Sequence, residues 1–402
     1  MKQFFKENFK VIICACILLG LLAVILAISP KSPQEQPPQD DSEPLKAGTG
    51  VVQYAFFDTV SYIYTYAGDT SKVFDANCEE VWSILAEYHK LFDIYHEYSG
   101  INNICTLNKN AGGEALEVSP KLIEFLLYAK ELYTLTDGEM NIMMGAVLAP
   151  WHDARENKSF KGLYCEYCHQ FSPENEAVDG KCPQQDPDYP NDEDKKCGRP
   201  VLPFLDVIEN KSAYISLDFL EIDELNNTVR ITDKNASIDV GALGKGYATE
   251  LAAQHLISKG VNSYVLNIGG NLRVIGAKPD GSGWGTGIKD PKNPSTRFIQ
   301  KINISNTSCV TSGDYERNFT QDGKKYHHII DGDTLLPSEH FSSVSIITPN
   351  SGLADALSTA LFCMSYEDGL AIVERIGNVE VLWVRPDGTM EMTDGFEAMI
   401  IK

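Results

Sequence analysis

Ser237-Ile-Asp-Val-Gly-Ala-Leu-Gly-Lys-Gly-Tyr-Ala-Thr-Glu250 reads as a chain that turns tightly and then enters a helix. Gly241, Gly244 and Gly246 let the backbone come close to a ligand at that turn. The N–H groups at the helix start favour an anion such as phosphate. The stretch is not a Walker loop, which needs glycine where Asp239 stands and serine or threonine where Gly246 stands. Nor does its spacing fit the G-x-G-x-x-G dinucleotide fingerprint. On these residues alone a generic tight turn and a phosphate site are equal readings. What the stretch does settle is that the usual marker of a doubly wound nucleotide-binding sheet is missing here.

Working outward, Asn77 to Tyr95 carries Val81, Trp82, Leu85, Tyr88 and Phe92 at helical spacing. Ser119-Pro120 is an N-cap followed by proline at the first helical position and predicts a helix through Leu135. Gly244 to Lys259 and Gly352 to Met364 predict two more helices, the first closed by Gly260. Ser263 to Ile268, Ser342 to Thr348 and Val379 to Val384 predict strands. Helices and strands mix without a βαβ alternation, so the expected class is α+β, a single mixed catalytic domain.

The chain has 402 residues, of which 43% are hydrophobic and 22% charged, and this excludes global disorder. Its formal charge of −22 argues against a non-specific nucleic-acid binder, because phosphate neutralisation needs Lys and Arg. Lys2, Lys6 and Lys10 precede an uncharged run from Val11 to Ser29. That run has about the ~20 residues a bilayer span needs. The lysines orient the N-terminus to the cytoplasm and the remainder outside. Residues 1–29 therefore read as a cytoplasmic tip and uncleaved membrane anchor, with a cleaved signal peptide as the competitor. Residues 30–50 read as a proline-rich linker, and 51–402 as the globular domain.

Within it, residues 162–200 are rich in Pro, Asp and Glu and poor in apolar residues. They carry Cys165, Cys168, Cys182 and Cys197. A segment that cannot bury a core needs staples, so disulfides or a structural zinc are expected there, with a redox-active pair as a third reading.

Three further segments carry chemistry. Asn267-Ile-Gly-Gly-Asn271 places two glycines at the end of a buried strand, as a ligand contact or a plain turn. Asp355 and Thr359 lie four residues apart, on one face of a helix. A carboxylate with a hydroxyl suits Mg²⁺ or Ca²⁺, while helix-dipole compensation is the competing role for Asp355. In Tyr326-His-His-Ile-Ile-Asp331, adjacent strand residues point to opposite faces, so His327 and His328 cannot readily share a metal. One of them suits a general base or a ligand contact.

Taken together these segments resemble the ApbE-type flavin transferases, the FAD:protein FMN transferases, in family order from about Tyr54 to Ile401. The matching blocks include Thr136 to Gly145 with Trp151-His152, Asp239 to Ala248, Asn267 to Asn271, Thr311 to Arg317, His328 to Asp331 and Ala354 to Thr359. The resemblance implies an FAD site lined by Met140, Lys245, Asn267, Gly269 and Gly270. It implies Mg²⁺ held by Asp355, Thr359 and a backbone carbonyl near Gly244. It implies transfer of FMN from FAD to a threonine hydroxyl of a separate acceptor protein, leaving AMP. The acceptor pattern is of the Asp/Ser-Gly-Ala/Ser-Thr type. His328 is the candidate base, with Asp314 or Asp331 orienting it. The family's common DPxTG reads Asp331-Gly-Asp-Thr-Leu335 here, and the cysteine-rich segment departs from the family pattern as an insertion. An Mg²⁺-dependent FAD pyrophosphatase would use nearly the same site, and a non-catalytic flavin-binding protein is the third reading.

Overall fold

The Ser119-Pro120 signal opens a helix where the sequence places it. Ser119 Oγ accepts the Lys121 N–H at 3.3 Å, Pro120 is the first helical residue, and the helix runs to Leu135. This computed structural model describes residues 43–156, 205–321 and 324–402. The expected anchor, most of the expected linker and the segment with Cys165, Cys168, Cys182 and Cys197 lie outside the described residues. Among the described residues no helix is long and apolar enough to cross a membrane.

In chain order the first elements are β1 (Thr49–Phe56), β2 (Thr59–Thr65), α1 (Ser71–Phe92), α2 (Ile104–Lys109), β3 (Leu116–Glu117) and α3 (Pro120–Leu135). Next come α4 (Gly145–Glu156), α5 (Leu205–Lys211), β4 (Leu220–Asp223), β5 (Thr228–Ile231) and α6 (Gly244–Ser258). Then follow β6 (Tyr264–Ile268), β7 (Asn271–Ile275), β8 (Trp284–Lys289), β9 (Phe298–Ile304), β10 (Ser308–Gly313), β11 (Asn318–Gln321) and β12 (Lys324–His327). The last are β13 (Ser343–Thr348), α7 (Ser351–Cys363), α8 (Tyr366–Ile376), β14 (Glu380–Val384), β15 (Met390–Met392) and α9 (Asp394–Ala398).

Eight strands form one sheet in the order β1-β2-β6-β7-β10-β13-β14-β15, and each neighbouring pair is antiparallel. Antiparallel pairing with long helices packed on the sheet is the expected α+β class. The largest apolar cluster joins α1, α3 and α6 to β2 and β6, through residues such as Leu85, Phe125, Leu256 and Leu266. A second joins α7 and α8 to β13 and β14 around Trp383. A third lies where the β8–β9 hairpin and α9 pack on the sheet, through Trp284, Ile302, Val274 and Phe396. Every residue of β13 is buried, the hydroxyl residues Ser343, Ser345 and Thr348 together with Val344, Ile346 and Ile347.

Two boundaries differ from the sequence reading. The helix expected from Asn77 begins at Ser71, and it ends at Phe92 rather than Tyr95. Asn77, taken there as a start, is buried mid-helix and donates to Tyr264 Oη at 3.0 Å. The fold also begins before Val51. The Leu45 N–H donates to Asp69 O (2.7 Å), the Gly48 N–H to Thr65 O (2.9 Å), and β1 starts at Thr49. Proline and glycine there read as linker, but pairing with β2 and its approach decides the boundary.

The β6–β7 connection fixes one end of the site. Ile268 pairs with Asn271, leaving Gly269 and Gly270 as a two-residue turn. Both have positive φ, +58° and +93°, as a tight hairpin of right-twisted strands requires. A Cβ on Gly269 would also lie 2.6 Å from Thr59 Cγ2.

Candidate active site

α6 and α7 touch at Gly246. A Cβ there would collide with the carbonyl oxygen of Ser351 and with Asp355 Cβ, so only glycine permits this approach. Asp355 is buried, and its Oδ2 accepts the Gly246 N–H at 2.8 Å. Lys245 Nζ lies 3.7 Å from the same oxygen, and Asn271 hydrogen-bonds the carboxylate from the hairpin turn. Burial pushes the Asp355 carboxyl above its ordinary range, against the lowering effect of Lys245, the Gly246 N–H and Asn271. The turn read as a possible phosphate cradle has thus committed donors to the protein. The Gly244 N–H goes to Val240 O at 2.8 Å and the Gly246 N–H to Asp355.

Thr359 lies one turn beyond Asp355 on α7, and its Oγ1 is 3.5 Å from Ser312 Oγ on β10. Asn350 caps the start of this helix by accepting the Leu353 N–H at 3.0 Å. Among the described residues no group of three or more His, Cys, Asp and Glu side chains is arranged to hold a metal. A cation at Asp355 would therefore draw on one carboxylate, a hydroxyl, backbone oxygen near Gly244 and water, a hard-oxygen set that fits Mg²⁺. Asn271 Oδ1, buried with no hydrogen-bond partner among the described residues, supplies a further polar atom beside that carboxylate.

Lys245 donates to Gly241 O at 3.1 Å, and its cation is felt at His328. Asp239 does a turn-forming job, accepting the Gly241 N–H at 2.8 Å, and its other oxygen lies 3.9 Å from His152 Nε2.

The histidines divide at the end of β12, whose last residue is His327, with His328 just beyond it. His327 is buried and its Nε2 meets Ser338 O at 2.9 Å, a packing role. His328, half-buried, places Nδ1 3.2 Å from Glu316 O. A carbonyl only accepts, so Nδ1 carries the proton and Nε2 keeps its lone pair. Burial first, then the cations of Arg317, Lys245 and Arg155 and the neighbouring His327, push the His328 ring down to about 3.

Neither aspartate expected to orient His328 holds it. Asp331 Oδ1 accepts the N–H groups of Asp333 (2.8 Å) and Thr334 (2.9 Å), capping its own loop. Asp314 pairs with Lys325 at 2.9 Å and accepts Ser342 Oγ–H at 3.1 Å. The orienting group is the Glu316 carbonyl, which no side-chain pattern announces.

Of the residues expected to line FAD, Asn267 accepts the Gly270 N–H at 3.0 Å and so shapes the Gly269-Gly270 turn. Met140 is buried in the largest apolar cluster, with its N–H donated to Thr136 Oγ1 at 2.9 Å. A cleft of about 660 Å³ among the described residues lies elsewhere, between Lys72, Asn77 and the Lys259–Ser263 turn.

The profile of the ApbE family matches residues 57–383. The chain belongs to the ApbE family. Proteins named FAD:protein FMN transferase resemble this ApbE chain along much of its length. The one from Haemophilus influenzae is 22% identical over 92% of this chain and 94% of its own. The Vibrio cholerae one is 25% identical over 79% and 80%. The Treponema pallidum one is 34% identical, over 42% of this chain and about half (49%) of its own length. Among solved structures, the ApbE protein from Thermotoga maritima matches with a TM-score of 0.69 and 24% identity, over 88% of this chain and all of its own. The flavin transferase ApbE from Vibrio cholerae matches with a TM-score of 0.64 and 23% identity, over 88% of this chain and 99% of its own. These structures share the ApbE fold.

Sequence reasoning missed Asn271 as a partner of Asp355, and Arg155 and Arg317 as the cations around His328. Asn271 had been reached as the last residue of the Asn-x-Gly-Gly-Asn segment. Its partner lies over 80 residues away in sequence, and only the packing of β7 against α7 brings the two together.

Proposed function

We propose that this chain is an FAD:protein FMN transferase. It moves FMN from FAD to a threonine hydroxyl of an acceptor protein and releases AMP, with Mg²⁺ bound at Asp355. The observation that carries this reading is the buried Asp355 carboxylate, bonded by the Gly246 N–H and 3.7 Å from Lys245, in a chain of the ApbE family. Relatives spanning most of the chain bear the transferase name.

Asp355, Thr359 and a carbonyl near Gly244 would hold the cation. A cation held by these residues would supply charge neutralisation to the pyrophosphate and to the departing AMP. Lys245 adds fixed positive charge on the same side. His328 Nε2 takes the threonine proton as the Oγ–P bond forms and the bond to the AMP oxygen breaks. The Glu316 carbonyl holds the ring in the tautomer that leaves Nε2 free. Gly269 and Gly270 allow close approach of the flavin nucleotide. The apolar run behind Lys2, Lys6 and Lys10 supports a single-pass membrane protein whose catalytic domain works outside the cytoplasm.

The test is incubation of the full chain with FAD, Mg²⁺ and an acceptor carrying a Ser-Gly-Ala-Thr segment. Covalent flavin fluorescence on the acceptor with equal AMP release is expected, both lost when the acceptor threonine is changed to alanine. AMP and free FMN without labelling would make the chain an FAD pyrophosphatase. Tight FAD binding without turnover would make it a flavin carrier.

A further inference from the structure

Arg273 is buried at the centre of the molecule, 2% exposed, in a strand that otherwise reads Asn-Leu-x-Val-Ile. A buried guanidinium needs a partner, and Glu250 of α6 supplies it, Nε to Oε2 at 3.1 Å. The same Oε2 accepts the N–H of Ser351, the first residue of α7, at 2.8 Å. Gln254 donates to the other oxygen at 2.6 Å. Glu250 therefore places a carboxylate on the positive end of the helix that carries Asp355 and Thr359.

The spacing repeats in all three elements. Asn271 and Arg273 are two apart on β7 and face the helices together, while Leu272 and Val274 pack on the opposite side of the sheet. Gly246 and Glu250 are four apart on α6. Ser351 and Asp355 are four apart on α7. One layer is Asn271–Asp355–Gly246, and the layer one turn away is Arg273–Glu250–Ser351. The two layers are built from the same strand and the same two helices. The second layer fixes the height and rotation of α7 against α6 and β7, and so fixes where the Asp355 carboxylate sits.

We propose that Glu250 and Arg273 are positioning residues for the divalent cation, acting through α7 rather than by touching metal or substrate. This rests on the reading that Asp355 holds Mg²⁺. Outer partners of metal ligands commonly carry a 10–100-fold effect on metal affinity. The experiment is calorimetric titration of the full chain with Mg²⁺ alone, alongside urea unfolding of each variant.

Glu250→Gln is expected to weaken Mg²⁺ binding about tenfold. The double variant Glu250→Gln/Arg273→Met removes both charges together, so it spares the fold the uncompensated guanidinium, and it should weaken binding similarly. Leu256→Ala, a core truncation in the same helix, should lower stability without moving Mg²⁺ affinity. Asp355→Asn separates the two ideas. If it binds Mg²⁺ as the parent does, the metal reading fails. If it loses Mg²⁺ while the double variant keeps the parent's affinity, the positioning role of Glu250 and Arg273 is overturned. If Leu256→Ala weakens Mg²⁺ binding as much as Glu250→Gln does, the effect is general loosening and the inference is equally overturned.

Discussion

His328 is pushed far below the ordinary imidazole range, to about 3. Between that value and the unfolded value near 6.5 the unfolded chain binds the extra proton, so stability rises with pH across this window. His328→Gln is expected to flatten that part of the stability–pH curve, measured by urea unfolding from pH 4 to 7. The ring is also neutral in the free enzyme throughout this range. The acid limb of kcat/KM assigned to His328 should then fall well below pH 6.5. In the proposed complex the FAD pyrophosphate would offset the cations of Lys245, Arg155 and Arg317, so the limb of kcat should lie higher than that of kcat/KM. A kcat/KM limb near 6.5 that survives in His328→Gln would assign the proton to another group.

A second residue resolves a departure from the family pattern. Leu335 occupies the place where DPxTG has glycine, and its φ is +62°. A left-handed leucine costs roughly 1–2 kcal/mol. It is nevertheless buried, its carbonyl accepts Trp151 Nε1–H at 3.1 Å, and it packs with Trp151 and Ile330. Burial of a leucine contributes roughly 1.5–3 kcal/mol, which offsets the strain. Both Leu335→Ala and Leu335→Gly lose the packing, but only glycine releases the strain. Chemical denaturation should therefore rank Leu335→Ala as the less stable variant by about 1 kcal/mol, the reverse of the usual order of these two residues in regular structure.

At the scale of elements, three helix starts were legible, while that of α1 was read six residues late. Ser119-Pro120, and the runs that became α6 and α7, carry local signals that depend on neighbours a few residues away. The site's supports were not legible for the opposite reason. Asn271 meets Asp355, and Glu250 meets Arg273 and Ser351, only when a hairpin strand and two helices distant in sequence pack together. Arg273 did leave a trace, a lone cation in an apolar strand. Gly246 was legible as a glycine that matters, but its protein neighbours were not. Sequence left a ligand and a plain tight turn as equal readings, and the structure places Ser351 and Asp355 against it. Gly246→Ala must move α7 away from α6, an overpacking cost of roughly 1–3 kcal/mol. It should reduce transfer more than a core truncation of equal stability cost does. Comparing Gly246→Ala with Leu256→Ala in urea unfolding and in flavin labelling checks this.

For the whole molecule, the formal charge of −22 says little about chemistry, whereas the proposed cation site would couple stability to a ligand through one buried carboxylate, Asp355. Burial raises the Asp355 carboxyl above its ordinary range, so the folded state favours the proton there. Without metal, that contribution is fully present below the ordinary carboxylate value and is lost as pH rises through the folded value. A cation reverses this, because it binds the ionised form. Mg²⁺ should therefore stabilise the fold, by about 2.7 kcal/mol at a hundredfold excess over Kd, and the effect should grow with pH. Asp355→Asn removes the buried charge while keeping a group that can accept the Gly246 N–H. In EDTA at neutral pH it should be at least as stable as the parent chain, and it should gain nothing from Mg²⁺. Thermal unfolding of both chains with EDTA and with saturating Mg²⁺ separates the two contributions. A parent chain whose melting temperature ignores Mg²⁺ at every pH would remove the cation from Asp355 and return that carboxylate to a purely structural role between Gly246, Asn271 and Lys245.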